Sequence, residues 1–284
     1  MADTRRPPEY PEHPEHPEGV KQVQAERIST GETVQPPATE TVTVIHETPL
    51  TLDVEGIETY TLLCTPTDRQ ALAVGFLYTE GVIDSPADID VIKACDDDPD
   101  TIRVRLKDEV PRLDDAGRNL LIVSSCGACG SENLQERIKA LPQVGDTLRI
   151  APSLLRTVFA TLRQRQVLFK ASGGAHAAAL FDDRGEIVAF AEDSGRHNAL
   201  DKAFGKCLLA GGLTSGLGVA LTSRLSLEMV TKCARAGIEI VAAVSAPTTL
   251  AIEVATTCNI TLCAFVRETR ATAFSRAARI VQPE

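Results

Sequence analysis

The second half of the chain constrains the fold most, because short apolar runs alternate there with helix-patterned segments. Residues 177–181, 187–191, 218–222, 238–245 and 260–266 read as strands, and residues 198–209, 226–236 and 247–257 as helices. Upstream, residues 120–123 read as a short buried strand, 132–141 and 152–164 as helices, and 167–170 as a further strand. Strands and helices alternating through short connections require βαβ units, so a largely parallel sheet is expected. Ligand sites on such sheets gather at the carboxyl ends of strands, where Arg224, Ser245 and Arg267 fall.

The first half has a different rhythm. Residues 41–46, 50–54, 57–62 and 101–106 alternate like strands, with Glu55-Gly56 as a hairpin turn. Between them a helix runs from a cap at Asp68 to a stop at Gly81, with Leu72, Phe76 and Leu77 on its inner face. Residues 11–18 repeat proline, acid and histidine and cannot bury anything. The chain therefore divides into a disordered tail (1–40), a small α+β domain (41–118) and a larger α/β domain (119–284).

Composition excludes several classes of function. A net charge of −10 argues against nucleic-acid binding by general electrostatics, although it leaves room for one small basic pocket. The amino terminus lacks the apolar core of a secretory signal, and no apolar run reaches membrane-spanning length. A cytoplasmic protein that neither spans membranes nor binds nucleic acid is expected. Its eight cysteines are then mostly free thiols, and Cys64, Cys207, Cys233, Cys258 and Cys263, set among apolar neighbours, read as small core residues.

The strongest chemical feature is Cys126-Gly127-Ala128-Cys129-Gly130, between a buried strand and a helix. Two thiols two residues apart share one site, and the glycines permit backbone conformations other residues resist. The following helix start favours the thiolate, while Glu132 in its first turn opposes that effect. Such a loop suits persulfide or redox chemistry. Half of a zinc site is the rival reading, but a second Cys-x-x-Cys is missing, so no metal is assigned. A zinc nucleobase deaminase is disfavoured because Ser125 stands where the proline belongs and no upstream His-x-Glu supplies the acid.

Other polar groups form a second tier. Ser172-Gly173-Gly174-Ala175-His176 could line a pocket or make a turn before a core histidine. The concentration of polar side chains from Glu192 to Asn198 exceeds what a helix cap needs, and a functional role is expected for it. Ser226 and Ser245 read as helix caps, and Arg267 and Arg270 offer charge-assisted contacts to a diphosphate.

Together these segments resemble the FdhD family of formate dehydrogenase accessory sulfurtransferases. The resemblance rests on the cysteine loop, on Ser172-Gly-Gly-Ala-His-Ala-Ala-Ala-Leu180, on Glu192-Asp-Ser-Gly-Arg-His-Asn-Ala-Leu-Asp-Lys202, on Ser226-Leu-Glu-Met-Val230 and on residues 243–252, and runs over residues 41–270. It implies a cytidine-deaminase-like fold for the larger domain. It implies transfer of sulfur from a cysteine desulfurase, as a persulfide on Cys126, to the bis-molybdopterin guanine dinucleotide cofactor that formate dehydrogenase needs. Cys129 would support Cys126, and Phe265, Val266, Arg267, Glu268, Thr269 and Arg270 would bind the guanine nucleotide moiety of the cofactor. A homodimer is the family expectation. The alternatives are a cofactor-binding chaperone that moves no sulfur, and a thiol oxidoreductase.

Overall fold

The computed structural model describes residues 17–30, 36–108, 110 and 131–281, with only the backbone of 131–133. Residues 120–123, Cys126 and Cys129 lie outside the described residues.

Two cores are visible. The first belongs to a four-stranded sheet of β3 (Thr48–Val54), β4 (Glu58–Cys64), β5 (Ile89–Ala94) and β6 (Thr101–Leu106), in the order β4-β3-β6-β5. Alternation places Leu50, Leu52, Val54, Ile102 and Val104 on one face. Helix α1 (Arg69–Glu80) covers that face with Leu72, Phe76 and Leu77. Gly81 ends the helix in the left-handed conformation, its N–H donating to the Leu77 and Tyr78 carbonyls. Asp68 does not cap this helix through its side chain as expected; its carboxylate instead pairs with Lys206 at 2.7 Å.

The second core surrounds a six-stranded sheet. Its strands are β7 (His176–Phe181), β8 (Ile187–Asp193), β9 (Gly218–Leu221), β10 (Ile240–Ala243), β11 (Thr261–Ala264) and β12 (Thr272–Ser275), in the order β12-β11-β10-β9-β7-β8. One face, carrying Leu180, Val219, Val241 and Leu262, packs on α5 (Arg196–Leu209), α6 (Leu227–Arg235) and α7 (Thr249–Thr257). The other, carrying Phe181, Ala220, Ala242 and Cys263, packs on α3 (Pro152–Arg165). The expectation of a largely parallel sheet needs correction, since only β9–β10 and β10–β11 are parallel. The reason is local. Residues 182–186 form a tight hairpin turn with Gly185 at φ 78°, so β7 and β8 must be antiparallel. Strand β12 likewise returns against β11 after a short loop.

Two other segments differ from the sequence reading. Within the expected tail, β1 (Val20–Arg27) pairs along its whole length with β2 (Ala38–Ile45) as an antiparallel ribbon. Residues 167–170, read as a strand, belong to helix α4 (Val167–Ser172). The Glu192 carboxylate nucleates that helix by accepting the N–H groups of Val167, Leu168 and Phe169 at 2.7, 2.8 and 3.0 Å. Helix α2 (Ser131–Lys139) follows the cysteine loop as expected. Among the described residues no helix is long and apolar enough to cross a membrane.

The two units meet along α1 and α5 with backbones in contact. A Cβ on Gly75 would lie 1.8 Å from the Asp201 carbonyl oxygen, and one on Gly205 would lie 1.8 Å from that of Ala71. Only glycine permits this approach.

Candidate functional site

The site is built where β9, β10 and β11 end. After Ala264 the chain turns at Phe265, a non-glycine residue with φ 53°. Its N–H donates to the Ser245 carbonyl at 3.2 Å, and the Val266 N–H donates to Ala243 at 3.1 Å. These bonds tie the turn to the end of β10 and drive Val266 into the core while residues 267–270 stay exposed. The Arg267 N–H donates to the Arg270 carbonyl at 2.7 Å, closing the loop.

Residues 266–271 form one wall of a cleft of about 610 Å³. The opposite wall is the start of α3, with Pro152, Ser153 and Arg156, and the far end is Ala277 and Ile280. That far end is stapled by Arg279, which is buried. Its guanidinium donates to the Gly145 carbonyl at 2.6 Å and to Thr261 Oγ1 at 3.2 Å, and lies 3.4 Å from the Glu239 carboxylate.

The electrostatics of this cleft are one-sided. Arg156, Arg267 and Arg270 line it, and among the described residues none of them has an ion-pair partner. Glu268 is the only acid among its lining residues. Arg267 is aimed by hydrogen bonds from its guanidinium to the carbonyls of Val244 (2.6 Å) and Val266 (2.9 Å). Unpaired guanidinium groups around a concave surface are what an anionic ligand such as a diphosphate needs. Phe265, 39% exposed, is not among the residues lining this cleft; its ring centroid lies 6.1 Å from that of Phe274.

The polar run from Glu192 to Asn198 is used differently. Asp193 is fully buried, and its Oδ2 meets Lys202 Nζ at 2.6 Å and accepts from the N–H and Oγ1 of Thr65 at 3.0 and 2.7 Å. Its Oδ1 accepts from the Gly195 N–H and from Asn198 Nδ2. Asn198 also donates to the Leu63 carbonyl at 2.7 Å, and Ser194 donates to Glu47 at 2.9 Å. His197 sits 3.0 Å from Glu228, and this contact holds the Glu228 carboxyl below its usual range. Sequence reasoning missed the partners here, Thr65, Lys202 and Glu228, because each comes from a different element. Ser226 stands at the start of α6 without a side-chain capping bond, and the cap of α7 is Thr248, which accepts from the Ala251 N–H at 3.2 Å, rather than Ser245.

The cysteines expected to be core residues are buried. Burial pushes the thiols of Cys64, Cys258 and Cys263 up to about 11 and raises those of Cys207 and Cys233 as well. Thiols held so firmly protonated are poor nucleophiles.

A model of the FdhD/NarQ family matches residues 45–281. The chain belongs to this family. Among relatives in the family, the sulfur carrier protein FdhD of Bordetella bronchiseptica is 42% identical over 241 residues, which cover 84% of this chain and 87% of that protein. The sulfur carrier protein FdhD of Thermoplasma acidophilum is 35% identical over 241 residues, 83% of this chain and 86% of that one. A solved structure from Desulfotalea psychrophila, assigned there as a formate dehydrogenase accessory protein, superposes with a TM-score of 0.71 at 23% identity, covering 92% of this chain and 99% of that one. At that identity the superposition speaks for the fold alone.

Proposed function

We propose that this chain is a sulfur carrier that serves the maturation of formate dehydrogenase. The observation that carries the reading is the family match over residues 45–281, with relatives named as sulfur carrier proteins at up to 42% identity among those given above. In this reading Cys126 is the acceptor and Cys129 its support, as the family resemblance implies; burial keeps the thiols of Cys64, Cys258 and Cys263 firmly protonated and unsuited to the role.

The chemistry balances without an added oxidant. The Cys126 thiolate attacks the terminal sulfur of a persulfide on a cysteine desulfurase; the donor's S–S bond breaks and its cysteine leaves as thiolate. The persulfide on Cys126 then meets an acceptor that supplies an electron pair to the terminal sulfur. An acceptor–sulfur bond forms as the S–S bond breaks, the sulfur passes over at the sulfide level with the acceptor giving up two electrons, and Cys126 returns as thiolate.

The acceptor in this reading is bis-molybdopterin guanine dinucleotide, handled as cargo. The residues present fit such a ligand. Arg156, Arg267 and Arg270 have no ion-pair partner among the described residues and can meet a diphosphate, and Phe265, adjoining the cleft wall in sequence, exposes a ring to a guanine base. We read the six-stranded layer as the cytidine-deaminase-like core that the resemblance implies, and the protein as a cytoplasmic homodimer. Sulfuration of a formate dehydrogenase, reconstituted with desulfurase and cysteine, tests the assignment. Cys126→Ala should abolish it; a normal rate in that variant would overturn the assignment of Cys126 as the sulfur carrier.

A further inference from the structure

Residues 8–18 repeat Pro-Glu followed by Tyr or His, so that Glu9, Glu12, Glu15 and Glu18 fall at every third position. Neither the fold nor the sulfur chemistry uses this repeat, and it lies ahead of the residues that the family model matches. The place where it joins the body is well defined. Pro17 and Gly19 are buried, and the Gly19 carbonyl accepts the His46 N–H at 2.8 Å. A Cβ on Gly19 would lie 3.2 Å from the side chain of Leu168 on α4. The residues before Pro17 therefore depart from beside the end of α3, where α4 begins.

From that point a row of cations runs back along α3. Arg163 lines a second cleft, of about 360 Å³, and no acid is among its lining residues. Val244 joins this cleft to the first, because its carbonyl accepts the hydrogen bond that aims Arg267. Arg156 lies seven residues before Arg163 on the same face of the helix, about 10 Å away along its axis. Both arginines are exposed, and among the described residues neither has an ion-pair partner. A row of unpaired guanidinium groups in a chain of net charge −10 calls for an acidic occupant.

The repeat matches that row in charge, spacing and reach. Proline-rich chains favour the polyproline conformation, with three residues per turn and a rise of about 3.1 Å per residue. Glutamates at every third position then share one edge at intervals of about 9 Å, close to the separation of Arg163 and Arg156. Glu9 is eight residues from Pro17, a reach of about 25 Å in that conformation, which exceeds the run from the end of α3 to Arg156. We propose that the Pro-Glu repeat folds back along α3 of its own chain, its glutamates pairing with Arg163 and Arg156, and so competes with an anionic ligand for the arginine cleft. The docking rests on this chain's residues alone, and only its effect on a nucleotide rests on the reading given above.

The chain has no tryptophan, so Tyr10→Trp in the full chain supplies a single reporter beside Glu9. Its fluorescence anisotropy at low ionic strength should be that of a held segment, independent of protein concentration. It should fall as salt approaches about 1 M, where screening acts within about 3 Å. Changing Glu9, Glu12 and Glu15 together to glutamine should bring it to the high-salt value, as should Arg163→Gln, while Arg163→Lys retains most of the low-salt value. GDP should release the reporter, and the triple glutamine variant should bind GDP about threefold or more tighter by calorimetry, as removal of a tethered competitor does. Absence of GDP binding with the segment still held would fail the nucleotide reading and leave the docking standing. A free reporter at low salt, or a held one indifferent to the glutamine variants, would overturn the proposal. Anisotropy that rises with protein concentration would assign the segment to a second copy and overturn it as well.

Discussion

Residues 192–198 and residues 265–270 are both polar stretches at the ends of buried strands, and their side chains are used in opposite ways. In the first stretch Asp193, Asn198 and Glu192 are consumed by the fold: they bind α4, α5 and the turn that leads into α1. In the second, the backbone, the buried Val266 side chain and part of the Arg267 guanidinium are committed to the fold, and the guanidinium of Arg270 is left without a partner among the described residues. The difference teaches that polarity at a strand end says little until its partners are known. A buried carboxylate with a lysine and a threonine from other elements is a seam between two cores. An arginine with none is a place for a ligand.

The seam is the part whose disruption should cost most. Lys202→Met would leave Asp193 charged, buried and unpaired, and should destabilise the chain by about 3–5 kcal/mol in denaturant unfolding. Adding Asp193→Asn to that variant should recover part of the loss, since the stranded charge is the main cost. A single-variant loss below about 1 kcal/mol would mean that the seam is not a buried ion pair. Gly205→Ala tests the same seam sterically. Its Cβ would sit 1.8 Å from the Ala71 carbonyl oxygen, so α1 must move, with an expected loss of about 2–3 kcal/mol by the same measurement.

The cleft should respond in the reverse manner. Arg270→Ala should weaken GDP binding about tenfold or more by calorimetry, as loss of a charge-assisted contact does. Its unfolding free energy should stay within about 0.5 kcal/mol of the parent. Unchanged affinity would remove Arg270 from the ligand's surroundings.

The smallest effect concerns His176. Its folded-state titration is lowered, chiefly by burial, so as pH falls through the ordinary imidazole value near 6.5 the unfolded chain takes up a proton that the folded chain resists. Stability from this group is therefore present above that pH and lost below it. His176→Gln should make the decline of stability between pH 7 and 5.5 shallower, and an unchanged slope would argue against the burial effect.

Much of this was legible in sequence. The strand-helix rhythm of residues 177–266 located β7 to β11 and α5 to α7, because each carries a clear apolar face. Strand β1 left no such trace: most of its side chains on both faces are exposed, and pairing with β2 holds it. Helix α4 was misread because its nucleating cap, Glu192, lies 25 residues downstream of Val167. The antiparallel setting of β7 depends on one tight turn at residues 182–186, which a rhythm of elements does not reveal. Of the residues expected to bind the cofactor, Val266 to Arg270 line the cleft, a placement that follows from their position after the last buried strand. Arg156 and Ile280, which complete the same cleft, carry no local signal because they arrive from α3 and the carboxyl-terminal segment. Within residues 192–198, the partners that bind Glu192, Asp193 and Asn198 into the architecture come from other elements and leave no trace in the run itself.

The central claim is that Cys126 carries sulfur. Intact-mass analysis of the purified chain after incubation with an active cysteine desulfurase and cysteine tests it most directly, with Cys126→Ala alongside. A gain of about one sulfur atom per chain, reversed by a reductant and absent from the variant, is the predicted result. No gain in the parent chain, or an equal gain in the variant, would contradict it.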